Sequence, residues 1–350
     1  MTELGSCAPH RRDDDSTAPG TEHGGAPARS VGIVIIGRNE GQRLVDCLAS
    51  VASAHAPTVY VDSGSTDGSV AAAQGGGTAI VRLDMSRPFT AARARNAGFR
   101  ELIGIYPDLD FVQFVDGDCV LDPRWIGAAV DFLNSRPDVA LVFGRRREMH
   151  PDASIFNAMC DEEWNAPVGQ ALECGGDTLI RGDAFKAVQG FSDTLIAGEE
   201  PDLCVRLRTN GWSIWRLDAE MTRHDANITR FSQWWRRSVR AGHAFAEVSR
   251  RHAGSEFGIW KPSLVRAVVW GGLPIVAVAA ALLWHPVFVM LLGLLPLQVI
   301  RLGLRRPEGA KERWAHAFFS VLGKFPEFQG VARFYASLLR KGDRTIIEYK

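Results

Sequence analysis

Short apolar runs, each ended by a polar turn, divide the first two thirds of the chain into strand and helix segments. Val31–Ile36 (VGIVII) is continuously apolar, as a strand covered on both faces of an α/β sheet must be. It leads through Gly37-Arg38-Asn39-Glu40 into Leu44, Val45, Leu48 and Val51, which share one helical face. Thr58–Val61 and Thr78–Val81 predict two further strands. The first ends in the polar turn Asp62–Ser69, with Thr66 or Asp67 as N-cap of the next helix. Pro88–Arg100 predicts a helix, and Phe111–Val120 a strand that breaks at Asp116-Gly117-Asp118. A helix over Pro123–Asn134, with Pro123 in its first position, precedes a strand at Val139–Phe143. Ala171–Arg181 sets a Gly pair before an apolar strand, where backbone can approach a ligand closely. Glu199-Glu200-Pro201-Asp202 opens a helix over Leu203–Thr209, and Trp212–Leu217 is a last strand. Strands alternating with helices argue for a doubly wound sheet flanked by helices.

The pattern then changes. Ile228–Glu247 places Phe231, Trp234, Trp235 and Val239 on one helical face, with Arg230, Arg236, Arg237 and Arg240 around it. Aromatic and basic side chains together suit a membrane headgroup region. Ala267–Ile300 is nearly free of charge, too long for one membrane span and just enough for two short ones. Trp284-His285-Pro286 would be the tip of that hairpin. Lys261 and Arg266 precede it and Arg301, Arg305 and Arg306 follow, so both flanks belong in the cytoplasm. A pair of buried or re-entrant helices is the rival reading. Trp314–Leu339 again mixes aromatic and basic residues at helical spacing and would return to the membrane surface.

Composition narrows this further. The 350 residues suffice for one large domain with additions or for two domains. Lys+Arg and Asp+Glu are both 40, so the basic excess of a duplex-binding protein is missing and no nucleic-acid partner is expected. Six scattered cysteines without a CxxC pair fit reduced thiols in a cytosolic domain, not a disulfide framework or zinc site. Residues 1–30 have no apolar signal core and read as a disordered tail. The boundaries that follow are a tail over 1–30, an α/β domain over 31–226, an interfacial helix and linker over 227–263, a hydrophobic hairpin over 264–304 and a cytoplasmic amphipathic tail over 305–350.

Candidate chemistry gathers at predicted strand ends, where open α/β sheets bind ligands. Asp116 and Asp118 offer two hard oxygen ligands, suited to a Mg²⁺ or Mn²⁺ that also takes diphosphate oxygens. Gly117 would let the backbone turn tightly between them. Asp62 at another strand end could accept hydrogen bonds from a ribose or base. Arg93 and Arg95 suit phosphate, although a solvated basic helix face is the default explanation. Three carboxylates in four residues, Glu199, Glu200 and Asp202, exceed what helix capping needs. The first strand is followed by neither G-x-G-x-x-G nor G-x-x-x-x-G-K-[ST], which disfavours a Rossmann dinucleotide site and a P-loop.

Taken in order, VGIVIIGRNE, VDSGSTDGS, the ARNAG of Ala94–Gly98, Asp116/Asp118 and Glu199-Glu200-Pro201-Asp202-Leu203 resemble a glycosyltransferase of family 2 with the GT-A fold, across roughly residues 31–224. The resemblance implies a membrane-associated enzyme that moves a sugar from a nucleotide-diphosphate sugar, in polysaccharide or glycolipid synthesis. It implies donor contacts at Asn39, Glu40, Asp62, Arg95 and Asp116, and metal ligands at Asp116, Asp118 and His224. A hydrogen-bonded surface histidine is the other reading of His224. The acidic motif of the family is usually Glu-Asp. Here Glu200 stands in the place of the Asp, which makes it the expected base, with Glu199 and Asp202 as rivals. Gln233-Trp234-Trp235-Arg236-Arg237 resembles the QxxRW of processive synthases but has Arg in the final place, which puts a processive channel in doubt. Glu199, Asp202, Gln233, Trp234, Arg236 and Arg237 are the candidate contacts to a lipid-linked acceptor. The expected location is the inner membrane, with the catalytic domain facing the cytoplasm. A sugar-phosphate nucleotidyltransferase, which would carry a Gly-rich basic loop after the first strand, and a non-catalytic membrane scaffold are the alternatives.

Overall fold

The computed structural model describes residues 30–307 and 312–339. The expected disordered tail lies outside the described residues except for Ser30, as do residues 340–350 of the expected C-terminal tail.

In chain order the first unit comprises β1 (Val31–Gly37), α1 (Gln42–Ala52), β2 (Thr58–Asp62), α2 (Ser69–Gly75), β3 (Ala79–Arg82), α3 (Ala91–Ile105), β4 (Phe111–Asp116), β5 (Cys119–Leu121) and α4 (Trp125–Ser135). It continues with β6 (Val139–Glu148), α5 (Ile155–Glu163), β7 (Gly169–Ala171), β8 (Thr178–Arg181), α6 (Gly182–Ala187), α7 (Glu199–Thr209) and β9 (Ser213–His224). Among the described residues these strands form one sheet in the order β3-β2-β1-β4-β8-β6-β9-β5, with β7 on β9. β3, β2, β1 and β4 are mutually parallel. β8 enters antiparallel to both β4 and β6, so the sheet is mixed.

The parallel half sets the geometry of everything that follows. β1 is buried on both faces between β2 and β4, which explains its unbroken apolar sequence. Its register pairs Gly37 with Asp62 and Ile36 with Asp116, so both carboxylates leave the sheet along one edge. α3 packs across the sheet at Gly98, where a Cβ would come within 2.8 Å of Val61 Cγ2. Gly117 has an ordinary backbone conformation. What requires glycine there is proximity, since a Cβ would lie 3.0 Å from the Ile36 carbonyl oxygen.

Several expected boundaries move. Pro123 precedes α4 instead of opening it, and Gly68 takes the N-cap expected of Thr66 or Asp67. Asp67 still contributes, because its Oδ1 accepts from the Ser69 N–H at 3.0 Å. β6 and β9 run several residues further than their apolar cores, because their backbones stay paired from Arg145↔Glu220 to Glu148↔His224 after the apolar run stops. His224 is consequently the last residue of β9 and not part of a following loop.

The remaining chain is helical: α8 (Phe231–Arg251), α9 (Lys261–Leu283), a 3-10 stretch over Pro286–Gly293, α10 (Leu294–Arg305), α11 (Arg313–Leu322) and α12 (Lys324–Leu339). The hairpin turns at the expected Trp284-His285. The rest of this region departs from the expected surface helices. A Cβ at Gly330 of α12 would overlap the Val239 carbonyl of α8, and one at Gly271 of α9 the Lys324 carbonyl of α12. Backbone-to-backbone contact through glycine therefore makes α12 a packed partner of α8 and α9, with Val331 and Phe334 buried. Lys261–Leu283 and Pro286–Arg305 are each long and apolar enough to cross a membrane. They leave Leu282, Leu283, Trp284 and Met290 exposed.

Trp234 is buried against Phe156 of α5 and Phe319 of α11, with ring centroids 5.4 and 5.3 Å away. It joins the sheet unit to the helical one and is not placed to stack on a sugar. Trp234→Ala should therefore cost about 3–5 kcal/mol of stability, as truncation of buried aromatics does. Chemical denaturation of the purified protein measures this, and an unchanged midpoint would contradict the assignment.

Candidate active site

Arg95 is the hub of the site. The N-cap hydroxyl of Thr90 accepts the Arg93 N–H at 3.0 Å and starts α3, which carries Arg95 beneath the strand ends. The Arg95 guanidinium is buried. Its Nη2 donates to Asp116 Oδ1 at 2.8 Å, and its Nη1 to Glu199 Oε1 at 3.1 Å and Glu200 Oε1 at 2.9 Å. One cation thus joins the end of β4 to the first turn of α7. The Gly pair expected near a ligand serves this cation, since a Cβ at Gly176 would overlap Arg95 Nη2 and come within 2.9 Å of Asp116 Oδ2. Arg93 has a different fate. Its guanidinium donates to the Asp84, Arg87 and Pro88 carbonyls and fixes the loop before α3.

Two of the carboxylates around Arg95 are shifted in opposite directions. Burial alone would raise the Asp116 carboxyl, but Arg95 and Arg146 hold it well below the usual range. Glu200 moves the other way. Burial and the neighbouring Glu199 charge outweigh Arg95 and raise it to about 7.

A second cluster adjoins the first. Asp118 Oδ2 lies 3.2 Å from His224 Nε2, and the Cys119 thiol completes a group whose ligand atoms lie within 4.8 Å of one another. Burial, followed by the Arg146 charge, lowers His224 to about 3, so its imidazole is neutral. Its Nδ1 is buried with no hydrogen-bond partner among the described residues. The carboxylate suits Mg²⁺ or Mn²⁺, and a neutral imidazole beside it can add a ligand to Mn²⁺. Asp116 falls into a neighbouring group with Cys119 and Asp177.

At the far side of β1, Asp62 accepts from the Gly64 and Ser65 N–H groups, each at 3.1 Å, and from Tyr60 Oη at 3.3 Å. Asn39 accepts from the Thr66 N–H at 2.8 Å and holds the loop after β1 against the loop after β2. Glu40 pairs with Arg43 at 2.7 Å in the same loop.

Other expected residues lie elsewhere. Asp202 is fully buried among Ser192, Arg206 and His252, at 2.7, 2.9 and 2.9 Å. Burial would raise its carboxyl, but the hydrogen bond from His252 and the charge of Arg206 hold it down to about 2, which is unsuitable for a base. Gln233 belongs to a capping box, accepting the Arg230 N–H at 3.0 Å. Arg237 is paired with Glu163 at 2.9 Å, whereas Arg236 is exposed.

Three residues of the site were not singled out from the sequence. Asp177, buried, accepts the Asp116 N–H at 2.9 Å and the Thr222 hydroxyl at 2.7 Å, tying β4 to β9. Arg146 lies 3.3 Å from Asp116 Oδ2 and stacks over Trp164, whose edge meets His224 at 4.8 Å between centroids. The polar Asp directly before the β8 run was the only local signal for Asp177.

The raised Glu200 carboxyl makes stability depend on pH. Its contribution is fully present below the ordinary value of 4.5 and is lost as pH rises through about 7. Glu200→Gln should therefore melt higher than wild type at pH 8 and differ much less at pH 5. A melting difference that grows toward acid would contradict the assignment.

Residues 32–167 match the family model described as Glycosyl transferase family 2. The structure is similar to that of a mannosyltransferase from Pyrobaculum calidifontis in complex with GDP-Man and Mn²⁺, at 16% identity, covering 88% of each chain with a TM-score of 0.62. It also matches glucosyl-3-phosphoglycerate synthase from Mycobacterium tuberculosis, at 17% identity over 64% of this chain and 80% of that one, with a TM-score of 0.45. The strand-end carboxylates and the α7 carboxylates meet in a sheet whose first part, residues 32–167, matches the family 2 glycosyltransferase model, and the GT-A-like fold is shared with a solved mannosyltransferase.

Proposed function

We propose that the protein transfers a sugar from a nucleotide-diphosphate sugar to a lipid-linked acceptor at a membrane surface, inverting the anomeric carbon. The observation that carries this reading is the Arg95 bridge, which brings the β4 carboxylate and the α7 carboxylates onto one guanidinium. A diphosphate seated at the end of β4 would have its sugar beside α7. Asp62, Asn39 and Glu40 line the strand-end loops where the nucleoside would lie. The GDP-Man and Mn²⁺ bound by the archaeal neighbour are consistent with such a donor.

Glu200, with a carboxyl raised to about 7, is poised to accept the acceptor hydroxyl proton near neutral pH. As the acceptor oxygen bonds to the anomeric carbon, the bond to the diphosphate breaks and the nucleoside diphosphate leaves. An already ionised phosphate acceptor has no proton to lose, and Glu200 would then position it. Asp118 and His224, with Asp116 beside them, would hold Mg²⁺ or Mn²⁺, which supplies positive charge to the departing diphosphate.

The acceptor side follows from the order of elements. Val205 of α7 and Val248 of α8 share a buried cluster with Ile259, just before the apolar helices, so the acceptor face would look toward a bilayer entered by Lys261–Leu283 and Pro286–Arg305. Basic residues on both flanks of the hairpin support a cytoplasmic position for the catalytic domain. Exposed Arg236 on α8 suits a lipid phosphate.

Glu200→Gln should bind donor normally and lower kcat about 10²–10⁴-fold with a hydroxyl acceptor, the usual loss for a general base. In wild type, kcat should rise with pH through about 7, because the ionised form is the active one. Calorimetry and steady-state rates measure the two effects. An equal defect in donor affinity would remove Glu200 from the role of base.

Full-length protein in detergent should use short-chain polyprenyl phosphate or diphosphate acceptors, and Arg236→Glu should raise their KM severalfold. Efficient transfer to a free monosaccharide, with no response to the lipid acceptors, would overturn this reading.

A further inference from the structure

Two guanidinium groups meet at Asp116, and they differ in what else they hold. Arg95 is committed to three carboxylates and its side chain is only 2% exposed. Arg146 reaches the other Asp116 oxygen at a longer 3.3 Å, and its side chain is 14% exposed. Its Nε lies 3.5 Å from Asp177 Oδ2, and its plane rests 4.9 Å from the Trp164 ring. β6 distributes three consecutive arginines to three partners. Arg145 goes to Asp161, Arg147 to Glu220, and Arg146 alone to the strand-end carboxylates.

We propose that Arg146 is a binding residue for the diphosphate of the nucleotide donor. The proposal rests on the nucleotide-sugar reading above and extends it to a side chain outside the matched motifs. A diphosphate beside Asp116 would offer Arg146 two oxygens in the place of the Asp116 oxygen it reaches at 3.3 Å. Arginine binds such oxygens through two parallel N–H donors, and these charge-assisted bonds are about twice as strong as neutral ones. Trp164 and Asp177 keep the guanidinium plane in place while its outer nitrogens change partner. Asp177 is well fixed for this, since its carboxylate already accepts from the Asp116 N–H, the Thr222 hydroxyl and the Cys119 thiol. As the bond to the sugar breaks, negative charge grows on the diphosphate, and a guanidinium there favours departure.

A purely structural Arg146 would only hold Asp116 in place, and the two roles separate in binding measurements. Calorimetry would follow UDP, GDP and TDP, with uridine, guanosine and thymidine as controls, on wild type and on Arg146→Ala, Arg146→Gln and Arg146→Lys. Each titration would be run in EDTA and again with Mn²⁺. The diphosphate that binds wild type should bind Arg146→Ala and Arg146→Gln about tenfold or more weakly in EDTA, the size expected for a charged hydrogen bond. Arg146→Lys should recover part of the loss, the nucleoside should be unaffected, and Mn²⁺ titrated alone should bind the variants no worse than wild type. If Arg146→Ala does not fold, the Gln and Lys variants carry the same comparison. Unchanged diphosphate affinity, or a loss of Mn²⁺ affinity as large as the loss of nucleotide affinity, would overturn the proposal while leaving the donor reading intact. If wild type binds no nucleoside diphosphate better than its nucleoside, the donor reading itself fails.

Discussion

A single buried guanidinium facing three carboxylates constrains the sheet unit. Burying Arg95 would be costly without compensation, and the charges of Asp116, Glu200 and Glu199 more than repay it, so it stays cationic. The same arithmetic leaves the carboxylates unequal. Asp116 has two arginines and ionises readily, whereas Glu200 shares its cation with Glu199 and resists ionisation. Carboxyl groups tens of residues apart in sequence are thus separated in acidity by their charged partners, so that one cluster holds a readily ionised carboxyl beside one that resists ionisation.

The sheet gives this arrangement its rigidity. Parallel pairing of β1 with β2 and β4 brings Asp62 and Asp116 to one edge. β8 inserts antiparallel beside β4 and delivers Gly176 and Asp177 beneath the Asp116 backbone. Both residues act at close range. The missing side chain of Gly176 leaves room for Arg95, and Asp177 bonds the strand end directly.

The sequence made the parallel half of the sheet legible because apolar runs ended by polar turns have one physical explanation there. It also exposed the carboxylates at Asp62, Asp116, Asp118 and Glu199-Glu200, since charge at the end of an apolar run is conspicuous. Residues whose role depends on distant partners were not legible. Asp202 looks like its acidic neighbours in sequence but faces His252 and Arg206. Gln233 and Trp234 suggested acceptor contacts because capping and aromatic packing leave the same residue types. Arg146 was hidden in a basic run whose members take three different partners. The amphipathic look of Lys324–Leu339 gave no hint that its glycine meets the α8 backbone.

That glycine contact bears on the order in which the protein is made. α8 leaves the ribosome with the Val239 carbonyl uncovered, and the apolar hairpin of α9 and α10 follows before α12 and its Gly330 exist to cover it. The hairpin must therefore find its surroundings while its eventual neighbour is still unsynthesised. Because glycine-mediated packing requires the two backbones to touch, a bulkier substitute at either crossing would be felt late in biogenesis, after the sheet domain upstream had already folded.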